Sequence, residues 1–116
     1  ECGHGWDQLI YKAYLILCRY NGLHKYDNEN GPLDFVQIKE KWGALNFILN
    51  YYSDDSYYIG IQLRKIENES KHICEICGKP GELFNLHDWL YTRCPKCKQK
   101  EIQKYNERFN VGSKES

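Results

Sequence analysis

Four of the six cysteines in this 116-residue chain fall into two C-x-x-C pairs, Cys74/Cys77 and Cys94/Cys97, and no other feature constrains the fold as tightly. Two intervening residues let both thiolates of one tight turn point at one ion, and two such turns complete the closed tetrahedral shell that Zn2+ prefers. Cys74-Glu75-Ile76-Cys77-Gly78 has the form of a zinc knuckle, its glycine permitting the turn after the second ligand. Lys79-Pro80-Gly81 marks a further turn, and residues 82–92 read as a short hairpin. Cys94-Pro95-Lys96-Cys97 then leads into a helix through about Phe109, with Pro95 suited to its first position. Knuckle, hairpin and helix in that order describe a treble clef, with a zinc ribbon as the alternative. The expected cofactor is structural Zn2+, because four thiolates leave no position for a reacting water. Metal binding in such modules contributes on the order of 10 kcal/mol to folding.

Cys2 and Cys18 lie far from these pairs. A secreted disulfide scaffold would be shorter and would spread its cysteines, whereas paired spacing in a reducing compartment is a metal signature. A chain of this length builds one domain with a modest core, which a metal-nucleated lobe enlarges. The 16 Lys+Arg balance 16 Asp+Glu, so any preference for nucleic acid, a membrane surface or an acidic substrate must come from a local patch. No apolar run approaches the roughly 20 residues that span a bilayer, and no charged-then-apolar leader opens the sequence, so a soluble cytoplasmic protein without a membrane partner is expected. The first residue is Glu rather than Met, and residues before Glu1 are expected.

Trp6, Leu9, Ile10, Ala13, Tyr14 and Leu17 recur at three- and four-residue steps, which predicts a helix over 6–20 with Asn21-Gly22 as its stop. Residues 23–33 read as a polar surface loop. From Asp34 the period is two. Val36 and Ile38 oppose Phe35, Gln37 and Lys39, and after a turn near Trp42-Gly43-Ala44 the residues Leu45, Phe47, Leu49 and Tyr51 alternate with Asn46, Ile48 and Asn50. Asp54, Asp55 and Ser56 offer capping oxygens to a second helix, whose stripe of Ile59, Leu63 and Ile66 ends near Ser70. The expected class is α+β: a helix, β-hairpin, helix core over 1–72, a four-cysteine zinc lobe with its helix over 73–110, and a flexible tail over 111–116.

Other residues offer candidate chemistry. Lys96, Lys100, Lys104 and Arg108 align at four-residue steps on one face of the last helix, with Ile102, Tyr105 and Phe109 on its buried side. The stripe suits phosphate backbone or an acidic protein surface; the plain alternative is a solvated face partly neutralised by Glu101 and Glu107. The chain's ten tyrosines exceed what a core this size absorbs, so Tyr51, Tyr52, Tyr57 and Tyr58 are candidates for a partner surface. His87-Asp88 between the cysteine pairs resembles the setting of HNH-type nucleases, but residues 97–116 contain no second histidine, and surface hairpin residues with Trp89 packed on the zinc lobe are the plain reading. Residues 1–6 place small and polar groups ahead of a helix, either as an anion site or as an ordinary lead-in turn; Cys2 and His4 would make only half a metal site.

Three segments together resemble an uncharacterised family of small bacterial and phage proteins: Glu1-Cys2-Gly3, Gly5 and Trp6; Val36-Gln37, Lys39-Glu40-Lys41, Gly43, Leu45 and Phe47; and Cys74-Glu75, Cys77-Gly78, Pro80-Gly81, Trp89, Thr92 and Cys94. The chain departs from the family pattern at His4, where an acidic residue is expected, at Asn46, in place of Arg, and at Asp88, in place of Gly, which weakens an anion-binding role for the hairpin. What the resemblance implies is a phage or prophage setting, in which small non-enzymatic proteins act by binding a host factor. The expectation is therefore a zinc-stabilised, non-enzymatic binding module whose partner is a host protein, a defence component included. Nucleic-acid binding through the basic stripe is the first alternative and an HNH-like nuclease the second.

Overall fold

The structure is a computed structural model that describes residues 4–23, 31–51 and 56–115, with side chains as far as Arg108. A 3-10 turn, His4–Trp6, runs directly into helix α1, Asp7–Leu23. Strands β1, Phe35–Lys41, and β2, Ala44–Leu49, pair as an antiparallel hairpin, and helix α2, Tyr57–Ser70, follows. A second antiparallel hairpin, β3, Glu82–Leu86, with β4, Trp89–Arg93, then leads into helix α3, Pro95–Glu115. The class is the expected α+β one, a helix, β-hairpin, helix core followed by a four-cysteine module.

The stripe of α1 is buried largely as its spacing requires. Trp6, Leu9, Ala13, Leu17 and Tyr20 enter the core with Ile59, Leu63 and Ile66 of α2 and Leu45, Phe47 and Leu49 of β2. Tyr14 sits at the rim, 45% exposed, its ring edge-on to Phe35 at 5.0 Å. Strand β2 alternates cleanly because one face meets the helices. Strand β1 does not, since its register shifts between Phe35 and Gln37. That bulge turns Phe35 and Ile38 toward the core and leaves Val36 exposed, so the expected grouping of Val36 with Ile38 is broken.

Two polar devices replace structure that the period pattern implies. Helix α1 outruns its expected stop, because Asn21 and Gly22 are both helical. The Asn21 amide acts as a substitute strand, its Nδ2 donating to the Leu33 carbonyl at 2.9 Å while its Oδ1 accepts the Leu33 N–H at 2.8 Å. A two-stranded sheet also has open edges. The β2 edge is closed by α2, where Ser70 Oγ accepts the Leu45 N–H and Glu67 Oε2 the Phe47 N–H, both at 2.9 Å. Ser56 occupies the N-cap position of α2 without the expected side-chain capping hydrogen bond, while Asp54, Asp55 and the loop over 24–30 lie outside the described residues. At the other end, α3 continues past its expected stop near Phe109 as far as Glu115, through most of the segment expected as a tail.

The four-cysteine module is fastened to the core by approaches of backbone to backbone. Gly5 donates its N–H to the Glu75 carbonyl at 2.8 Å, and a Cβ there would stand 1.9 Å from the Cys74 oxygen. Trp6 beside it is wholly buried and donates Nε1–H to the Ile73 carbonyl at 2.8 Å. Gly43, in the β1–β2 turn, has φ 81°, and a Cβ there would meet Leu83 Cδ1 at 2.5 Å. Its carbonyl accepts the hydroxyl of the fully buried Thr92 at 2.6 Å.

These contacts set opposite signs for three glycine-to-alanine changes. Gly5→Ala meets rigid backbone and should lower stability by about 3 kcal/mol or more. Gly43→Ala adds left-handed strain to a milder clash and should lower it by about 2 kcal/mol. Gly60→Ala, in the middle of α2 with nothing within 4 Å of the new methyl, should raise it by about 0.5–1 kcal/mol. Urea melts followed by circular dichroism would rank them.

Candidate metal centre

The first cysteine pair sits on a knuckle closed entirely by main chain. Cys74 donates its N–H to the Lys79 carbonyl at 2.8 Å, Gly78 to the Cys74 carbonyl at 2.9 Å, and Gly81 to the His72 carbonyl at 2.9 Å, with an isolated bridge between Ile73 and Pro80. Gly78 takes φ 81° to make this turn. The second pair sits where β4 becomes α3. Cys94 ends the strand side, Pro95 opens the helix, and Cys97 falls in its first turn, where the Lys98 N–H reaches the Cys94 carbonyl at 2.8 Å. Knuckle, hairpin and helix are thus assembled in treble-clef order.

The four sulfurs lie within 4.8 Å of one another, with Cys77 Sγ and Cys94 Sγ 3.5 Å apart. A tetrahedral ion with bonds of about 2.3 Å sets its sulfurs about 3.8 Å apart, so the cluster matches what Zn2+ requires. Cys74 and Cys94 are buried, Cys97 is half-buried and Cys77 is exposed. No other group of three or more His, Cys, Asp or Glu side chains is placed to share an ion among the described residues.

Thiols this close cannot all ionise unless a cation lies between them. The Cys97 N–H, 3.4 Å from the Cys94 sulfur, leads in drawing that thiol down to about 6, against its burial. Burial raises Cys97, and the sulfurs of Cys94 and Cys74 push it further, to about 12. At Cys74 burial opposes ionisation, but the N–H groups of Cys94, Cys77 and Ile76 outweigh it and lower the thiol. At Cys77 the Lys79 N–H favours the thiolate, yet desolvation and the neighbouring sulfurs together raise it. Main-chain N–H groups aimed at the sulfurs are what spreads thiolate charge in such a site. Metal binding must displace the protons that remain, so protons and metal compete.

A buried ion pair ties the two halves of the module. Arg93 Nη1 lies 3.3 Å from Glu75 Oε2, with side chains 6% and 12% exposed, and also donates to the Thr92 carbonyl at 3.1 Å. The Glu75 N–H meanwhile reaches the Thr92 carbonyl at 3.1 Å. Neither role is visible in a linear reading, because both partners look like ordinary surface charges until the hairpin folds back.

The remaining candidates separate clearly. Lys96, Lys100, Lys104 and Arg108 are all exposed, and none has an ion pair among the described residues. Tyr57 and Tyr58 are 68% and 73% exposed, Tyr51 is partly buried with its hydroxyl donating to the Gly31 carbonyl at 2.9 Å, and Tyr52 lies outside the described residues. His87 lies in the β3–β4 turn, its ring stacks on Tyr105 of α3 at 4.2 Å, and it belongs to no group of three or more candidate metal ligands among the described residues. Trp89, expected to pack on the zinc lobe, is instead 59% exposed. His4 pairs with Asp7 at 3.2 Å, while Cys2 is outside the described residues; the buried side of α3 keeps Ile102 and Tyr105 half-covered, and the Phe109 side chain lies beyond those described.

No family model, curated protein or solved structure matches this chain. No helix among the described residues is long and apolar enough to cross a membrane.

Removing one ligand should dismantle the module. Cys94→Ser should bind less than about a tenth of the wild-type zinc at micromolar metal and lose the near-ultraviolet signal of Tyr91 in the β3–β4 hairpin, because metal-binding energy is folding energy in such a module. Zinc content by atomic emission and circular dichroism on the same samples check it; full metal with an unchanged melt would refute it.

Proposed function

We propose that this chain is a non-catalytic, zinc-stabilised binding module that docks on a host protein in a phage or prophage setting, a defence component being one such target. The observation that carries this reading is the aromatic surface that the fold leaves unused: Trp42 and Tyr58 are each 73% exposed, Tyr57 is 68% and Trp89 is 59%. Indoles and phenols supply much of the binding energy at protein interfaces, and none of these four contributes to the core. A closed thiolate shell gives the metal no position for a reacting water, which favours a structural over a catalytic role. The resemblance to small phage and bacterial proteins supports the setting.

The test is a pull-down from host lysate with zinc-loaded protein, run beside the Trp42→Ala/Trp89→Ala double variant. A specific partner retained by the wild type and reduced about tenfold or more by the variant is the expected result. No specific partner, or one retained equally by both, counts against the reading.

One observation favours a second reading, nucleic-acid binding along α3. The exposed basic stripe repeats every four residues, about 6 Å along the helix axis, and nothing among the described residues neutralises it through an ion pair. Engagement of all four charges by duplex DNA predicts that log affinity falls with log salt at a slope of about −3.6, and that Lys100→Glu/Lys104→Glu abolishes binding. Fluorescence anisotropy at two salt concentrations decides this, and salt-independent or absent binding removes it.

A further inference from the structure

Both hairpins close with two-residue turns whose central residues take positive φ. Trp42 stands at φ 55°, His87 at φ 51° and Asp88 at φ 66°. Asn and Gly adopt this left-handed region readily in such turns, whereas a bulky aromatic is an outlier there. For His87 the fold supplies a reason, the stacking on Tyr105. At Trp42 the two-residue turn itself demands the positive φ, while the ring packs on nothing in the core and is 73% exposed. A bulky ring placed outside the core on such a turn is a place to look for a binding role.

Trp42 and Trp89 line one cleft of about 410 Å³ together with Asn85, Asp88 and Leu90. Its walls are two indoles and an aliphatic side chain, and its one ionisable group is the Asp88 carboxylate. The Asp88 N–H is held by Asn85 Oδ1 at 2.9 Å, but the carboxylate has no ion-pair or hydrogen-bond partner among the described residues.

We propose that this cleft receives an arginine side chain of a partner protein, its guanidinium stacked on an indole face and hydrogen-bonded to Asp88. Indole faces attract cations, and a planar guanidinium both stacks on them and matches a carboxylate with its fork of donors. The same carboxylate repels phosphate, which disfavours a nucleotide stacked at this place. Lys41 Nζ already stands 4.8 Å over the Trp42 ring, an internal cation drawn to the same surface. It belongs to an exposed, strongly hydrated side chain, which a guanidinium displaces at little loss. The inference rests on the protein-binding reading above and names the chemistry of the partner at that surface.

The chain's three tryptophans give three indole N–H signals in a nitrogen-15 correlation spectrum, and Trp6, buried and bonded to the Ile73 carbonyl, serves as internal reference and reporter of folding. The zinc-loaded protein is titrated with N-acetyl-arginine amide, N-acetyl-norleucine amide and oligothymidylate. The expected result is saturable movement of the Trp42 and Trp89 signals with the arginine probe, at a roughly millimolar dissociation constant, with Trp6 unmoved and norleucine inert. Asp88→Asn should weaken that binding about three- to five-fold while the Trp6 signal stays in place. Static indoles, equal binding of norleucine, or an Asp88→Asn variant that binds as well as the wild type overturns the proposal; oligothymidylate binding more tightly than arginine assigns the cleft to nucleic acid and overturns it too. Arginine binding alongside an empty pull-down leaves this site standing and removes the host-protein function. A captured partner that the arginine probe does not displace does the reverse.

Discussion

The structure depends on the main chain of one knuckle residue. Glu75 donates its N–H to β4 through Thr92, gives its carbonyl to Gly5 at the start of α1, and places its carboxylate on the buried Arg93. Its neighbour Cys74 belongs to the four-cysteine cluster, so an ion held there would fix the three elements that meet at the knuckle. A small α+β core buries limited apolar surface, and its two-stranded sheet has no third strand to stiffen it. A metal-held backbone surface against which Gly5 and Trp6 can lie supplies the rigidity that such a sheet lacks. Dependence runs in both directions, because Gly43 of the core hairpin is the surface on which Thr92 and Leu83 of the zinc hairpin rest.

That joint also gives the sequence signature a physical meaning. Gly5, Trp6, Gly43, Cys74, Glu75, Gly78 and Thr92 all lie where the core and the four-cysteine module meet. Gly81 serves the lobe's own closure, since a Cβ there would lie 2.8 Å from the Arg93 main chain. A motif made of glycines, a buried indole and metal ligands specifies how two lobes interlock. Glu40 adds to this by accepting the Gly43 N–H through its carboxylate at 2.6 Å, which closes the β1–β2 turn.

What could be read from the chain alone was whatever depends on short range. The cysteine spacing located the metal site, the three-and-four stripes located Trp6, Leu9, Leu17, Ile59, Leu63 and Ile66 in the core, and the change to period two located both strands of the first hairpin. Illegible features are those in which a polar side chain substitutes for missing backbone at long range. Asn21 looks like a helix stop until its amide is seen pairing with Leu33, and Glu67 and Ser70 look like a solvated helix end until they close the β2 edge. The β1 bulge was equally hidden, since nothing in Phe35-Val36-Gln37 disturbs an alternating pattern. Trp89 was misplaced for a related reason: hydrophobicity argues for burial, and only the geometry of the turn shows that its ring has nowhere inside to go.

The exposed tryptophans inherit their rigidity from this joint. Trp42 is the residue before Gly43, whose carbonyl holds Thr92, and Trp89 and Thr92 lie on the same strand. Each indole therefore projects from a backbone position fixed by the lock between the hairpins, not from a free loop. Binding sites built this way lose little entropy on engaging a partner, because ordering was completed when the protein folded. In the fold the knuckle and Thr92 hold the two turns together, and the turns hold the rings. The four-cysteine site thereby shapes an aromatic surface it never touches.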